Sequence, residues 1–152
     1  MLFVFWLGCV AVGLTACAVS APALKKVDLE DPGWRIWRGQ ALWKPNAERP
    51  TLAGEIIVAR HLNGDVLVNF SKSPLPLVTA QTAGDTWRFD IVEGGRFYSG
   101  SGSPPKRIVW FFLPALLDGE TMPKNWKAGM TEKGVWTVRN QRTGETIRMV
   151  IE

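Results

Sequence analysis

The chain has 152 residues, enough for one domain, and 46% of them are apolar. Two cysteines and one histidine exclude a dense disulfide framework and leave little material for a metal site. The formal charge of +4 suits nucleic acid, anionic lipid or an acidic protein, and equally plain solubility.

Met1 to Leu24 carries no charged side chain, and Lys25 and Lys26 follow it. About 20 apolar residues span a bilayer, so an uncleaved anchor is one reading. The strongly apolar part, Leu2 to Leu14, is shorter than that and ends in the small residues Thr15, Ala16 and Cys17. This is the order of a signal-peptide core and its cleavage site, and a processed signal is the better reading.

Leu14-Thr15-Ala16-Cys17 resembles the lipobox of bacterial lipoproteins. The resemblance implies a signal peptide over 1–16, an acylated Cys17 as first mature residue, and a lipidated tether over 17–33. Each buried acyl methylene adds about 0.8 kcal/mol of membrane affinity. Ala18 after the cysteine, in place of aspartate, implies the outer membrane, with the domain facing the periplasm. One feature departs from the pattern: the segment before Cys17 has no Lys or Arg. Left uncleaved, the segment would be oriented by Lys25 and Lys26 with the domain in the cytoplasm. With processing, Cys9 leaves, Cys17 is acylated, and the core alone must hold the domain together. An envelope location argues against nucleic acid as a partner.

Ala18 to Gly33 has no sustained periodicity and contains Pro22, Pro32 and Gly33, as a tether does. A single β-rich domain is expected over 34–152. Trp34 to Trp43 is the first predicted strand, followed by a polar loop from Lys44 to Pro50. In Gly54 to His61, Ile56 and Val58 alternate with Ile57 and Ala59, which predicts a strand covered on both faces. Asn63-Gly64 predicts a type I′ turn, because both residues tolerate positive φ, and Asp65 to Phe70 returns.

The prolines in Ser71-Lys72-Ser73-Pro74-Leu75-Pro76 remove ladder donors and are expected to end the pairing. Leu77 to Gln81 resumes it and Ala83-Gly84-Asp85 turns. Thr86 to Val92 places Trp87, Phe89 and Ile91 on one face and Arg88 and Asp90 on the other. Gly94-Gly95 turns into Arg96 to Ser99.

One helix is predicted from Ser103-Pro104-Pro105, with serine as cap and proline at the first position. Ile108, Phe111, Phe112, Ala115 and Leu116 recur at helical spacing, Pro114 would kink or divide it, and Gly119 follows its end. Strands over Gly134 to Asn140 and Glu145 to Ile151 flank a turn at 141–144. The sum is seven or eight antiparallel strands with a late helix, a barrel, a sandwich or a sheet wrapped around its helix.

Catalysis is hard to build from these residues. His61 is the only histidine and has no ligand cluster beside it in sequence, so a surface or partly packed role is expected. Gly100-Ser101-Gly102-Ser103 is similar to phosphate-binding loops, but the spacing to Lys106 is not that of a P-loop. A flexible strand-to-helix joint is the plainer reading. Tryptophan is in excess, with seven of eight at or beyond Trp34. Any one of them suits a small core; together they suit a surface or cavity that meets acyl chains.

"WRIWRGQALW" as an opening strand, "GEIIVARHLNGDVLVNF" as a hairpin, "RIVWFFLPALLDG" as a lid-like helix and "VWTVRNQRTGETIRMVIE" as a closing hairpin together resemble the LolA and LolB lipoprotein-carrier superfamily. The resemblance covers most of Trp34 to Glu152 and is one of layout. It implies a mainly β fold: an antiparallel incomplete barrel, LolA/LolB-like, curled around one or two short helices and enclosing an apolar cavity. The expected liners are Trp87, Phe89, Ile91, Phe97, Trp110, Phe111 and Leu116, and Leu75, between Pro74 and Pro76, would be the protruding apolar residue that meets membrane or partner. The expected protein is a monomeric, non-enzymatic binder of acyl chains or lipoproteins that needs no cofactor or metal. The competing expectation is an assembly lipoprotein that packs its own aromatics and acts through protein contacts.

Overall fold

The computed structural model describes residues 24–152. Cys17 and the proposed signal lie outside the described residues. Among the described residues no helix is long and apolar enough to cross a membrane.

Nine strands form one antiparallel sheet: β1 (Trp34–Lys44), β2 (Leu52–His61), β3 (Val66–Lys72), β4 (Leu75–Ala83), β5 (Thr86–Ile91), β6 (Arg96–Ser101), β7 (Trp126–Met130), β8 (Val135–Asn140) and β9 (Thr146–Ile151). The order is β6-β5-β4-β3-β2-β1-β9-β8-β7. Two meanders therefore meet at the single non-sequential pair, β1 with β9. The sheet has two free edges, β6 and β7, and is neither closed nor strongly curled. Between β6 and β7 the chain leaves the sheet and lays a short plug on one face, a 3₁₀ turn (Val109–Phe112) running into helix α1 (Leu113–Leu117).

Strand alternation sets which side chains meet the plug. Trp43, Ile56, Val58, Val68, Phe70, Val78, Ala80, Phe89, Val138, Ile147 and Met149 form this inner face and are almost fully buried. The outer face of β2 differs from expectation. Ile57 is only half-buried, and among the described residues no second layer covers it. Ala59 is nonetheless inaccessible, flanked in register by Ile36 of β1 and Leu67 of β3.

Several turns correct the sequence reading. Gly64 has a φ of 95° but Asn63 does not share it. The Gly64 N–H donates to the His61 carbonyl and the His61 N–H to the Asp65 carbonyl. This is a type I turn followed by a glycine bulge, the three-residue alternative to a type I′ turn. The prolines do not end the β3–β4 pairing: Ser71 opposes Pro76 and Lys72 opposes Leu75, after a register shift at Phe70/Ser71. The Ser73-Pro74 peptide at the tip is cis.

The helix is shorter than its apolar spacing predicts. Pro104 and Pro105 hold the chain outside helical geometry, Ser103 caps nothing, and the 3₁₀ turn begins only after Ile108. Pro114 sits in the first turn of α1, where its missing N–H costs nothing. It divides the element into a 3₁₀ and an α part. Gly119 follows with a φ of 86° and its N–H closes on the Leu116 carbonyl, as helix ends prefer.

Candidate functional site

Six of the seven expected liners are brought together around the plug. Phe89 is 5% exposed and its ring lies 6.1 Å from that of Phe111. Trp87 meets Phe111 edge-on at 5.9 Å. Trp110, Phe111 and Leu116 are buried, and Trp87 and Ile91 pack against them from the rim.

Phe97 is the exception. It opposes Asp90 across the β5–β6 ladder, which puts it on the outer face, half exposed. There the Arg88 guanidinium lies 4.6 Å from its ring centre. Tyr98 takes the inner position instead, stacked on Phe89 at 6.4 Å. The period of two in β6 allowed either residue inward, and only the register across the Gly94-Gly95 turn chooses.

Trp43 and Phe70 complete an aromatic cluster with Trp110 that the sequence reading did not assemble. The Trp43 and Trp110 rings are 5.5 Å apart and nearly perpendicular, and Phe70 lies 5.8 Å from Trp110. The inner aromatics thus pack on one another. Leu75 stands at the tip of the β3–β4 hairpin and is 63% exposed. His61 is partly packed against Trp34, ring centres 5.0 Å apart, with its Nε2 3.5 Å from Asp31.

Residues 109–117 make no backbone hydrogen bond to a strand, so the plug rests on the sheet through apolar side chains. Its far end is held ionically. Arg35 reaches Asp118 Oδ1 at 2.7 Å, while Arg60 reaches Asp118 Oδ2 at 3.0 Å and Glu120 at 2.6 Å. The near end is pinned where the Gly102 N–H donates to the Asp85 carbonyl of the β4–β5 turn.

Beside the plug a cleft of about 310 Å³ opens between the β1–β2 loop, the β5–β6 turn and the β8–β9 turn. A second hollow of about 300 Å³ adjoins it and shares Phe89, Arg107, Ile108 and Glu145. Glu145 is the partly buried carboxyl of this region. Trp43 Nε1 donates to its Oε1 at 3.1 Å. The Trp110 indole also favours its charged form, yet Trp110 Nε1 falls short of hydrogen-bond geometry and is left buried without a partner. Burial outweighs both indoles and pushes the Glu145 carboxyl up to about 7.

Fold and site together define a mainly β protein: a nine-stranded open antiparallel sheet with an apolar plug on one face and a polar-mouthed cleft beside it. No protein-family model matches the chain, and no curated protein is significantly similar to it.

Proposed function

We propose that the protein is an acyl-chain-binding lipoprotein of the bacterial cell envelope, anchored through acylated Cys17 and probing lipids or lipoproteins with its β-domain. It acts as a monomer at the outer membrane, on the periplasmic side, and performs no covalent chemistry on its ligand. In this reading the sheet is the open form of a LolA/LolB-like incomplete barrel and the plug is its lid.

The observation that carries the reading is the seam beneath the plug. Val109, Trp110, Phe111, Leu113 and Leu116 are buried against an apolar face, without a backbone hydrogen bond to it. A hydrocarbon chain can replace such contacts like for like, at roughly 25 cal/mol per Å² of apolar surface covered. Gly102 and Gly119, both at positive φ, bracket the plug, and glycine reaches other backbone conformations at little cost when such ends are released. Leu75 at its exposed tip would meet the membrane or the cargo.

The filled interior favours a second reading. Trp110 is 1% exposed and Val109 and Leu113 are fully buried, as in an assembly lipoprotein that packs its own aromatics and meets a protein partner.

Two measurements test the proposal in sequence. Intact mass of membrane-extracted protein, against a Cys17→Ser form, should match Cys17 to Glu152 plus acyl groups; a full-length unmodified mass would cancel the lipoprotein assignment. An apolar fluorescent probe should then light up with the folded protein and be displaced by palmitate. A probe that stays dark favours the assembly reading.

A further inference from the structure

The cleft beside the plug is walled on its apolar side by Phe89, Ile91 and Ile108 and floored by Trp43, Trp110 and Glu145. Its volume lies at the lower end of ligand pockets. Hydrogen-bonding groups around it are unequally matched. Asn46 Oδ1 is already taken by the N–H groups of Glu48 and Arg49, which leaves the Asn46 amide to donate. Arg49 is paired with Glu93 at 3.0 Å. Arg96 and Arg107 both line the cleft, and neither forms an ion pair among the described residues. The Trp110 N–H is the buried donor without a partner.

Donors therefore exceed acceptors, and a buried donor left unmade costs roughly 1–3 kcal/mol. The complementary ligand brings oxygen acceptors and negative charge to the arginines, and a short apolar body to Phe89 and Ile108. We infer that this cleft binds the oxyanion group of a small or amphiphilic ligand, a carboxylate or a phosphate, through Trp110 Nε1, Arg96 and Arg107. This goes beyond acyl uptake beneath the plug and does not depend on it.

Glu145 then sets when the site is open to an anion. As the neutral acid it adds a donor; as a carboxylate it repels the ligand. The other charged groups at the cleft are Arg49 and Glu93, paired together, with Arg96 and Arg107. With the carboxyl at about 7, affinity should fall about tenfold between pH ~6 and pH ~8.

The test uses the full chain in a neutral maltoside detergent, with butyrate and inorganic phosphate as probes and butyramide as the uncharged isostere of butyrate. Indole N–H resonances are followed by NMR. One signal, missing in Trp110→Phe, should shift saturably with an anion at pH ~6 and ignore butyramide, and the tenfold weakening at pH ~8 is read with butyrate, which stays ionised throughout. Glu145→Gln should bind butyrate equally at both pH values. Arg96→Gln with Arg107→Gln, both at exposed positions, should weaken binding about tenfold, the loss of about 1.4 kcal/mol, with unchanged melting. A response to butyrate alone assigns a carboxylate and one to phosphate alone a phosphate; either upholds the anion site. Equal response to butyramide, no response to either anion, or indifference to the double arginine replacement overturns it. An apolar probe that stays dark beside a butyrate-responsive Trp110 signal would sink acyl uptake and leave the cleft standing.

Discussion

Trp43 Nε1 hydrogen-bonds Glu145 Oε1 at 3.1 Å across the β1–β9 side of the sheet, joining a core indole to a carboxyl that burial holds at about 7. Glu145 is the residue of this domain whose charge is least well accommodated. Its raised value means the folded state binds a proton more tightly than the unfolded chain does. Folding is therefore favoured most below the ordinary carboxylate range, and the advantage is lost as pH rises through about 7.

Glu145→Gln should flatten that dependence. Urea midpoints of the parent are expected to fall between pH ~5 and pH ~8 by the equivalent of about 2 kcal/mol, while those of the glutamine form stay level. A parent whose stability rises over that interval would contradict the burial of the carboxyl.

Asp118 receives both Arg35 and Arg60, whereas Glu120 receives Arg60 alone. Hydrogen bonding to Glu120 raises the Arg60 pKa, burial opposes it, and Asp118 adds to the rise. Partly exposed pairs are worth little singly, up to about 1 kcal/mol. Asp118→Asn should cost about 1 kcal/mol and Glu120→Gln less, with both losses shrinking at high salt. Denaturant melts at two ionic strengths check the ranking, and a larger loss for Glu120→Gln would place the latch elsewhere.

Gly39 and Gly129 offer an internal contrast. A Cβ at Gly39 would overlap the Val150 carbonyl oxygen of β9, whereas one at Gly129 would meet nothing within 4 Å. Gly39→Ala should break the β1–β9 junction that unites the two meanders, a loss of several kcal/mol or failure to fold. Gly129→Ala should be neutral or stabilise by about 0.4–1 kcal/mol. Thermal melts of the pair decide it; equal stability would show that β1 and β9 do not approach as described.

Leu75 is exposed at a hairpin tip, so Leu75→Glu should change stability by no more than about 0.5 kcal/mol. If the tip meets membrane or cargo, the same change should abolish vesicle binding or lipoprotein delivery. Normal delivery by a stable Leu75→Glu protein would remove the role proposed for this residue.

Trp110 combines full burial with an unpartnered N–H. Trp110→Ala should cost about 3–5 kcal/mol through lost transfer energy and a cavity. Trp110→Phe should cost much less, because it also removes a donor that burial penalises. Equal losses in the two variants, read from urea unfolding, would show that the indole N–H is satisfied after all.

What depends on near neighbours in the chain is legible in the amino-acid order alone. The alternation in β5 put Trp87 and Phe89 on one face because strand side chains alternate whatever the strand pairs with. Gly119 marked the end of the plug because left-handed backbone there is easy only for glycine. The strand at Trp126–Met130 carries no legible strand pattern, since four of its five residues are exposed and Gly129 interrupts the alternation. Everything that pairing brings together depends on contacts between residues far apart in the chain. Whether Phe97 or Tyr98 faces inward is a matter of register, in which a slip of one residue exchanges the faces. Which carboxylate becomes partly buried was equally out of reach. Glu145 directly follows an ordinary polar turn of the sequence, and it acquires its raised value only where β9 pairs with β1 and the plug sets Trp110 beside Trp43.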